Sequence, residues 1–274
     1  MSRSNTIPFQ MKVTKTVGLS PTVKSLKLGF NDPKLATAFS FEPGQFIFLS
    51  IPGYGDSVLT ITSAVADLPQ IEVAVRSVGN NTKAIHRLKV GETVFVRGPF
   101  GNHFDLKKMA GKEVIIIAGG IGLAPLRSLI KTIEKEPQNV GELKILAGAK
   151  EPEDFIFKSD LKTWSDFAQV YLTVDQADKN WTGYIGRVTK LIKEAKINQK
   201  AIAVLCGPPV MFLPLIKELE VLGLKDDNIY LMLERRMKCG IGKCQHCTCG
   251  DRYVCLDGPT FSWLELKDNW EAFL

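Results

Sequence analysis

Residues 113–135 read EVIIIAGGIGLAPLRSLIKTIEK, and this stretch decides the fold of the larger part of the chain. The run EVIIIAGG is continuously apolar, which is typical of a strand buried on both faces of a parallel sheet. The segment LAPLRSLIKTIEK has the apolar spacing of a helix. Gly119-Gly120-Ile121-Gly122 lies where the strand ends and the helix begins. The stretch therefore predicts a strand, a tight glycine turn and a helix in succession.

The same alternation continues towards the C-terminus. Further buried strands are predicted at ELKILAGA, AQVYLTV, AIAVLCG and NIYLML. Helical stretches such as VMFLPLIKELEVLG lie between them. Strands that alternate with helices predict a doubly wound parallel sheet.

The part of the chain before Lys112 has a different pattern. Short segments rich in β-branched or aromatic residues follow one another, namely KVTKTVG, TVKSLKLGF, GQFIFLSI, SVLTITSA, IEVAVRSV and ETVFVRG. Glycine and proline separate them, as in Pro43-Gly44 and Gly98-Pro99. Closely spaced strands of this kind predict a small antiparallel barrel. A short helix with Asn81 as its N-cap is predicted to interrupt the strands.

Length and composition limit the classes of protein that fit. A chain of 274 residues favours two compact domains with a small appendage. The net charge of +6 is spread along the chain and does not form the basic runs typical of nucleic-acid binding. No apolar run reaches the roughly 18 residues of a membrane span, and the N-terminus lacks the apolar core of a signal peptide. A cytoplasmic protein is the resulting expectation.

The cysteines are unevenly distributed, which points to a metal centre. Cys206 stands alone, and the other five of the six cysteines lie between positions 239 and 255. The spacing C-x4-C-x2-C-x7-C runs through Cys239, Cys244, Cys247 and Cys255. Its first three cysteines match the plant-type 2Fe–2S pattern, and soft thiolates suit iron. The sequence therefore predicts a 2Fe–2S cluster.

Two alternatives remain open for this segment. Structural zinc is the first, bound by Cys244 and Cys247 with two of Cys239, Cys249, Cys255 and His246. The second concerns the fourth ligand of an iron–sulfur cluster, which spacing alone does not settle. Cys255 is preferred to Cys249, because only one residue separates Cys249 from Cys247.

The glycine turn at Gly119–Gly122 predicts a phosphate site. Glycines allow the backbone to approach a pyrophosphate, and the N-terminus of the following helix offers free N–H groups. The turn departs from G-x-G-x-x-G, since Pro125 occupies the place of the third glycine. A purely structural turn is the alternative.

Several motifs together resemble the ferredoxin-reductase superfamily. They are GGIGLAPLRSLI, CGPPVM at Cys206–Met211, RSVGNNT at Arg76–Thr82 and RGPFGNHF at Arg97–Phe104. The segment ERRMKCGIGKCQHCTCGDRYVCLDGPTFSW resembles one branch of that superfamily. The branch includes the gamma subunits of cytoplasmic hydrogenases (sulfhydrogenases), the B subunit of anaerobic sulfite reductase and the electron-transfer subunit of dihydroorotate dehydrogenase.

The resemblance implies the site residues for FAD and for the nucleotide. In that superfamily the flavin ring lies against a strand that corresponds here to Ser57–Thr60. The arginine and the tyrosine usual in that strand are replaced by Ser57 and Leu59. Flavin contacts are then expected from Thr60, Ile61, Thr62, Arg76, Gly79, Asn80, Asn81 and Thr82. NAD(P)H contacts are expected from Gly119, Gly120, Gly122, Ala124, Pro125, Thr173, Asp175, Cys206, Gly207 and Pro208.

The architecture implied is a β-barrel flavin domain, an α/β doubly wound parallel-sheet nucleotide-binding domain and a small Cys-rich iron–sulfur loop. We predict the FAD domain over residues 1–108, the NAD(P) domain over 109–234 and the 2Fe–2S segment over 235–274. The implied function is that of an electron-transfer subunit. It relays electrons between NAD(P)H, FAD, the cluster and a partner catalytic subunit resembling a hydrogenase or a sulfite reductase.

Partners and alternatives complete the expectation. A catalytic oxidoreductase subunit is the expected partner and a ferredoxin-like carrier a further one. No catalytic side chain is assigned beyond the cofactors. The alternatives are a stand-alone NAD(P)H reductase of a ferredoxin-type carrier and a zinc-stabilised regulatory module without enzymatic activity.

Overall fold

The computed structural model describes residues 5–273, with side chains as far as Trp270. The chain divides into two compact units. The first comprises the residues up to Phe104 together with Arg127–Thr132 and Glu234–Pro259. The second comprises Asp105–Leu126, Ile133–Leu233 and the residues from Thr260 onward. The residue boundaries of the three predicted segments stay predictions.

The regular elements are numbered along the chain. The strands are β1 Phe9–Gly18, β2 Val23–Phe30, β3 Phe46–Ile51, β4 Gly55–Thr60, β5 Gln70–Arg76, β6 Thr93–Phe100, β7 Glu113–Gly119, β8 Glu142–Ala149, β9 Gln169–Val174, β10 Tyr184–Ile185, β11 Ile202–Cys206, β12 Ile229–Met232, β13 Thr248–Cys249, β14 Arg252–Tyr253 and β15 Thr260–Ser262. The α-helices are α1 Pro33–Ala38, α2 Asn80–Arg87, α3 Leu106–Met109, α4 Leu123–Lys135, α5 Lys158–Thr163, α6 Leu191–Glu194, α7 Phe212–Val221 and α8 Trp263–Leu266. Among the described residues, no helix combines the length and the apolar character needed to cross a membrane.

The first unit contains the predicted antiparallel barrel. Its six strands lie in the order β4-β3-β6-β1-β2-β5, and each neighbouring pair is antiparallel. Ile61, one residue beyond β4, bridges Val73 of β5 and so brings the two edge strands together. This bridge joins the two edges of the sheet at one point, as expected for a small barrel.

Alternation along the strands builds the barrel core. In β1, Phe9, Met11 and Val13 are buried while the residues between them are exposed. Ile47 and Leu49 of β3 join the same core. Full burial of one such side chain stabilises the fold by about 1.5–3 kcal/mol. Strands of period two therefore supply one apolar face to the barrel interior, as the sequence predicts.

The second unit contains the predicted doubly wound sheet. Its order is β10-β9-β8-β7-β11-β12-β15, parallel except for β15, which pairs antiparallel with β12. The five central residues of β7 are buried, as expected for a strand covered on both faces. Helix α4 ends at Lys135, just before Glu136-Pro137, because a proline disfavours helical backbone in the residue before it. The predicted fold class is confirmed for this sheet and for the barrel.

Helix α2 differs from the prediction at its start. Its N-cap is Gly79, two residues before the predicted Asn81. The reason lies in Thr82, whose hydroxyl accepts hydrogen bonds from the N–H groups of Val78 and Gly79, both at 2.9 Å. The hydroxyl at the third helical position closes the turn, so the helix begins without an asparagine cap.

Candidate functional site

The cysteine segment forms a tight loop whose backbone points N–H groups at sulfur. The N–H of Ile241 donates to Cys239 Sγ at 3.4 Å, and that of Gly242 donates to Cys255 Sγ at 3.2 Å. Gly240 and Gly242 have φ values of +79° and +71°, in the left-handed region that favours glycine. The glycines therefore let one turn of backbone reach both the first and the last predicted ligand.

The predicted ligands lie in two contacting pairs. Burial raises the pKa of the Cys239 thiol, but hydrogen bonds from the backbone of Ile241 and from Cys244 outweigh burial and bring the pKa to about 6. Burial and the hydrogen bond with the Cys247 thiol raise the pKa of Cys255 to about 12. Cys239 thus contacts Cys244, and Cys247 contacts Cys255. Four soft thiols gathered on a loop with N–H donors fit the sulfur environment of an iron–sulfur cluster.

Cys249 has a different environment from these four cysteines. It is buried in β13, and its sulfur accepts a hydrogen bond from Nε of Arg235 at 2.8 Å. His246, the other residue of the zinc alternative, is exposed. Among the described residues, no three His, Cys, Asp or Glu side chains form a site for a single metal ion.

The end of the cysteine segment is attached to the first unit by Asn102. The N–H of Asn102 donates to the carbonyl of Gly258 at 2.6 Å, and its amide Nδ2 donates to the carbonyl of Asp257 at 2.7 Å. Gly101 lies so close that an added Cβ would be 2.7 Å from Pro259. These contacts position the residues that follow Cys255 on the chain.

The predicted flavin strand is held by backbone hydrogen bonds from elsewhere in the first unit. The N–H of Ile61 donates to the backbone carbonyl of Gln45 at 3.1 Å, and the N–H of Thr62 donates to the backbone carbonyl of Glu72 at 2.8 Å. Thr60 ends β4 and is half-buried, whereas Ile61 and Thr62 are buried. The hydroxyl oxygen of Thr62 is buried and has no hydrogen-bond partner among the described residues. Because buried polar atoms are normally paired, this atom fits a ligand contact.

The second predicted flavin segment lies at the start of α2. Nδ2 of Asn81 donates to the carbonyl of Asp56 at 2.8 Å, while its Oδ1 is buried and lacks a partner among the described residues. Gly79, Asn80 and Thr82 complete the first turn. The N–H of Gly79 is bonded to the Thr82 hydroxyl, whereas the N–H groups of the first helical residues have no helix carbonyl to bond. Arg76 is exposed at the end of β5. The two orphaned oxygens and the free helix N-terminus fit a flavin with its phosphates.

The glycine turn shows two separate reasons for glycine. A Cβ on Gly122 would be 2.2 Å from the carbonyl oxygen of Cys206, and one on Gly119 would be 2.7 Å from the sulfur of Met211. Gly120 has φ of +55° and open space where a Cβ would be. Close packing of the loop at Cys206 therefore requires Gly119 and Gly122. Only Gly120 faces space that a phosphate could enter.

The other predicted nucleotide residues lie around the same end of the sheet. Ala124 and Pro125 belong to the first turn of α4, and Cys206, Gly207 and Pro208 follow the end of β11. Both loops begin at carboxyl ends of adjacent parallel strands, where ligands bind in open α/β sheets.

Thr173, near the end of β9, and Asp175, directly after β9, differ in what they offer a nucleotide. The hydroxyl of Thr173 donates to the carbonyl of Gly186 at 2.6 Å, so it is already engaged. Asp175 is exposed, and its N–H donates to the carbonyl of Ala149 at 3.1 Å. Lys150, just after β8, lies 3.9 Å from the carboxylate of Glu151.

One functional group was not anticipated from the sequence. Arg127 is buried in the first unit, where its Nη1 donates to the carbonyl of Thr62 at 2.9 Å and to Glu72 Oε2 at 3.2 Å. The pair therefore holds the backbone of the predicted flavin strand. The signal was available: an arginine within the apolar stretch LAPLRSLI needs a buried partner.

Family models match the chain in three consecutive parts. The oxidoreductase FAD-binding domain matches residues 10–104, and the oxidoreductase NAD-binding domain matches residues 116–213. The iron–sulfur cluster binding domain of dihydroorotate dehydrogenase B matches residues 234–267. The three descriptions agree with the cofactors predicted for each part.

Curated relatives match nearly the whole chain. Sulfhydrogenase 1 subunit gamma of Pyrococcus furiosus is 38% identical over 266 residues, which cover 94% of this chain and 91% of the relative. This chain belongs to the sulfhydrogenase gamma-subunit family. A probable dihydroorotate dehydrogenase B electron transfer subunit from the same organism is 33% identical and covers 85% of this chain and 84% of the relative.

Solved structures agree with the fold of this family member. The NADH-dependent reduced ferredoxin-NADP oxidoreductase superposes with a TM-score of 0.79 at 22% identity, covering 96% of this chain and 92% of the other. The chain is therefore an electron-transfer oxidoreductase with FAD-, NAD- and iron–sulfur-binding domains.

Proposed function

We propose that this chain is the electron-transfer subunit of a multi-subunit oxidoreductase. It exchanges electrons with NAD(P)H on one side and with a catalytic subunit on the other. Its family membership and the four paired thiols of the cysteine segment support the proposal. The observation that carries it is the placement of those thiols in the unit that also contains the FAD-binding barrel.

The residues divide the work between three sites. Thr62, Asn81 and the first turn of α2 would hold the flavin and its phosphates. Gly120 and the start of α4 would hold the nucleotide pyrophosphate, with the loop at Cys206 beside it. Cys239, Cys244, Cys247 and Cys255 would hold the 2Fe–2S cluster. When bound, FAD supplies the conversion between two-electron chemistry of the nucleotide and one-electron chemistry of the cluster.

The partner follows from what the relatives are. Two of them are gamma subunits of sulfhydrogenases, and others are electron-transfer subunits of dihydroorotate dehydrogenase B. From these relatives we infer a hydrogenase-like catalytic subunit. The resemblance of the C-terminal segment adds a sulfite-reductase-like subunit as an alternative, and a ferredoxin-like carrier is a further partner. We place the resulting complex in the cytoplasm.

Purification of the native protein under anaerobic conditions tests the partner. We expect a stable larger complex in gel filtration, in which a second subunit contains the catalytic metal centre. The complex should couple oxidation of NADH or NADPH to the reaction of that subunit. A stable monomer with full activity towards a ferredoxin-type carrier would instead establish a stand-alone reductase. A colourless protein that contains zinc and neither flavin nor iron would establish a regulatory module.

A further inference from the structure

Three phenylalanines lie together on the outer face of the barrel, and the cysteine loop contacts two of them. In β3, Ile47 and Leu49 point into the barrel core, so Phe46 and Phe48 point to the opposite face. They form a cluster with Phe100, with ring centroids 5.5–6.1 Å apart. Phe46, Phe48 and Phe100 are nevertheless buried. An outward-facing aromatic cluster that is buried must be covered by another segment.

The cysteine loop covers two of these rings, Phe48 and Phe100. A Cβ added to Gly240 would be 2.9 Å from Phe48 and 3.1 Å from Phe100. Gly240 follows the predicted ligand Cys239 directly. The loop backbone therefore lies on the aromatic rings, and this contact leaves no room for a side chain at position 240.

A bulge in β6 turns two of its side chains to this outer face. Phe46 pairs with Phe100 and Phe48 pairs with Arg97, so two steps along β3 match three along β6. Without the extra residue, Arg97 and Phe100 would point to opposite faces. Gly98 accommodates the bulge with φ of +129°. The bulge thus places Arg97 and Phe100 together on the face that carries the cysteine loop.

Arg97 uses its guanidinium group to join three parts of this region. It lies over the Phe48 ring at 4.4 Å from the centroid. Its Nη2 is 2.6 Å from Asp56 Oδ2 and donates to the carbonyl of Lys238 at 3.3 Å. Lys238 immediately precedes Cys239. The side chain of Arg97 is only 15% exposed, so water screens these contacts less than at an open surface.

Asp56, which pairs with Arg97, also contacts the residues predicted to bind the flavin. Asp56 lies in β4, which continues to Thr60. Its carbonyl accepts the hydrogen bond from Asn81, whose other amide atom is one of the two orphaned oxygens. One arginine is therefore joined both to the residue before a cluster ligand and to the strand and helix assigned to FAD.

We propose that Arg97 is a positioning residue that fixes the cysteine loop against the flavin-binding barrel, so that the cluster is held at one distance and orientation from the flavin. The proposal rests on the proposed function. A lysine cannot reproduce the network, because its single ammonium lacks the planar fork that bonds a carboxylate and a carbonyl while stacking on a ring.

The test compares Arg97→Met with Arg87→Met in the anaerobic holoprotein. Arg87 is a matched control, because it also lies over an aromatic ring, that of Tyr54 at 5.6 Å, and bonds its hydroxyl at 3.2 Å. We expect the EPR line shape of the dithionite-reduced cluster to change in Arg97→Met and to stay as in wild type in Arg87→Met. A residue that only stabilises the fold would lower the melting temperature without changing that spectrum.

A kinetic measurement accompanies the spectrum. After mixing with NADH or NADPH, flavin reduction in Arg97→Met should keep its wild-type rate. Reduction of the cluster should slow several-fold, because the rate of electron transfer falls as the distance between the two redox groups grows. Arg97→Lys should change both readouts in the same direction by a smaller amount, and it replaces Arg97→Met if that variant loses its cluster.

Wild-type spectra and rates in both Arg97 variants would overturn the proposal. Failure of the proposed function has a different signature. The wild-type cluster would then not be reduced by either nucleotide, whereas the dithionite-reduced spectra would still compare Arg97→Met with its control.

Discussion

The cysteine loop and the predicted flavin strand are built in opposite ways within the same unit. In the loop, residues 239–255 supply all the predicted ligands, and the neighbouring backbone supplies the N–H groups that contact them. In the flavin strand, the side chains usual for the family are absent. Its geometry instead depends on the carbonyl of Glu72, in the next strand, and on Arg127, which is distant in sequence from Thr62. The ligands of a loop that lie close together in sequence are readable from their spacing, whereas contacts from distant residues, such as Arg127 on the flavin strand and Arg97 on the loop, are not.

The largest expected effect decides whether Cys255 or Cys249 is the fourth ligand of the cluster. Cys255→Ser should abolish the cluster or alter its EPR signal, because Cys255 lies beside Cys247 and receives the N–H of Gly242. Cys249→Ser should leave the signal nearly intact, since a serine oxygen can still accept the hydrogen bond from Arg235. Iron content and EPR of both purified variants provide the measurement. The reverse result would assign the fourth ligand to Cys249.

Breaking the buried pair should weaken the flavin strand. Arg127→Met leaves the Glu72 carboxylate buried without its partner and should cost about 3–5 kcal/mol of unfolding free energy. Flavin affinity should fall at the same time, because the carbonyl of Thr62 loses its donor. Chemical denaturation and flavin titration measure the two effects.

The double variant Arg127→Met with Glu72→Met separates stability from binding. Replacing both members of a buried pair by apolar residues is often neutral for stability. We expect the unfolding free energy to recover in large part and the flavin affinity to stay low. Recovery of both quantities would show that Arg127 acts on stability alone.

The glycine turn provides a smaller effect in the second unit. Gly122→Ala places a methyl group against the carbonyl of Cys206 and should cost about 1–3 kcal/mol, as overpacking does. Nucleotide affinity should fall with it, because the turn must shift. Gly18→Ala is the matched control, since no atom lies within 4 Å of its added Cβ. Equal effects of the two substitutions on nucleotide titration and melting would contradict this interpretation of the turn.

The smallest effect concerns the orphaned hydroxyl of the flavin strand. Thr62→Val removes an oxygen that has no partner among the described residues, so stability of the flavin-free protein should stay the same or rise slightly. Flavin affinity should fall by about 1 kcal/mol, the usual net contribution of one hydrogen bond. Unchanged affinity would remove Thr62 from the flavin contacts.

These differences explain how much the sequence predicts. The strand at Glu113–Gly119 and the helix at Leu123–Lys135 follow from apolar periodicity, which acts over neighbouring residues. The predicted start of α2 was wrong by two residues, because the hydroxyl of Thr82 caps the turn from inside the helix. Periodicity does not report such a contact.

Other features depend on pairings that no local pattern contains. The bulge that brings Arg97 to the outer face follows from the register between β3 and β6. The glycine requirement at Gly122 follows from a close approach to Cys206, which is distant in sequence. The turn lies where the sequence predicts it, but Gly119 and Gly122 are needed for close packing and not for an approach to phosphate.

The most direct test of the proposed electron transfer from nucleotide to cluster is anaerobic reduction of the native protein with NADH and with NADPH, followed by EPR and by iron, sulfide and zinc analysis. We expect iron and acid-labile sulfide in equal amounts, bound FAD, and the EPR signal of a reduced 2Fe–2S cluster produced by at least one nucleotide. Zinc in place of iron would contradict this proposal. So would a cluster that dithionite reduces and that neither nucleotide can reach.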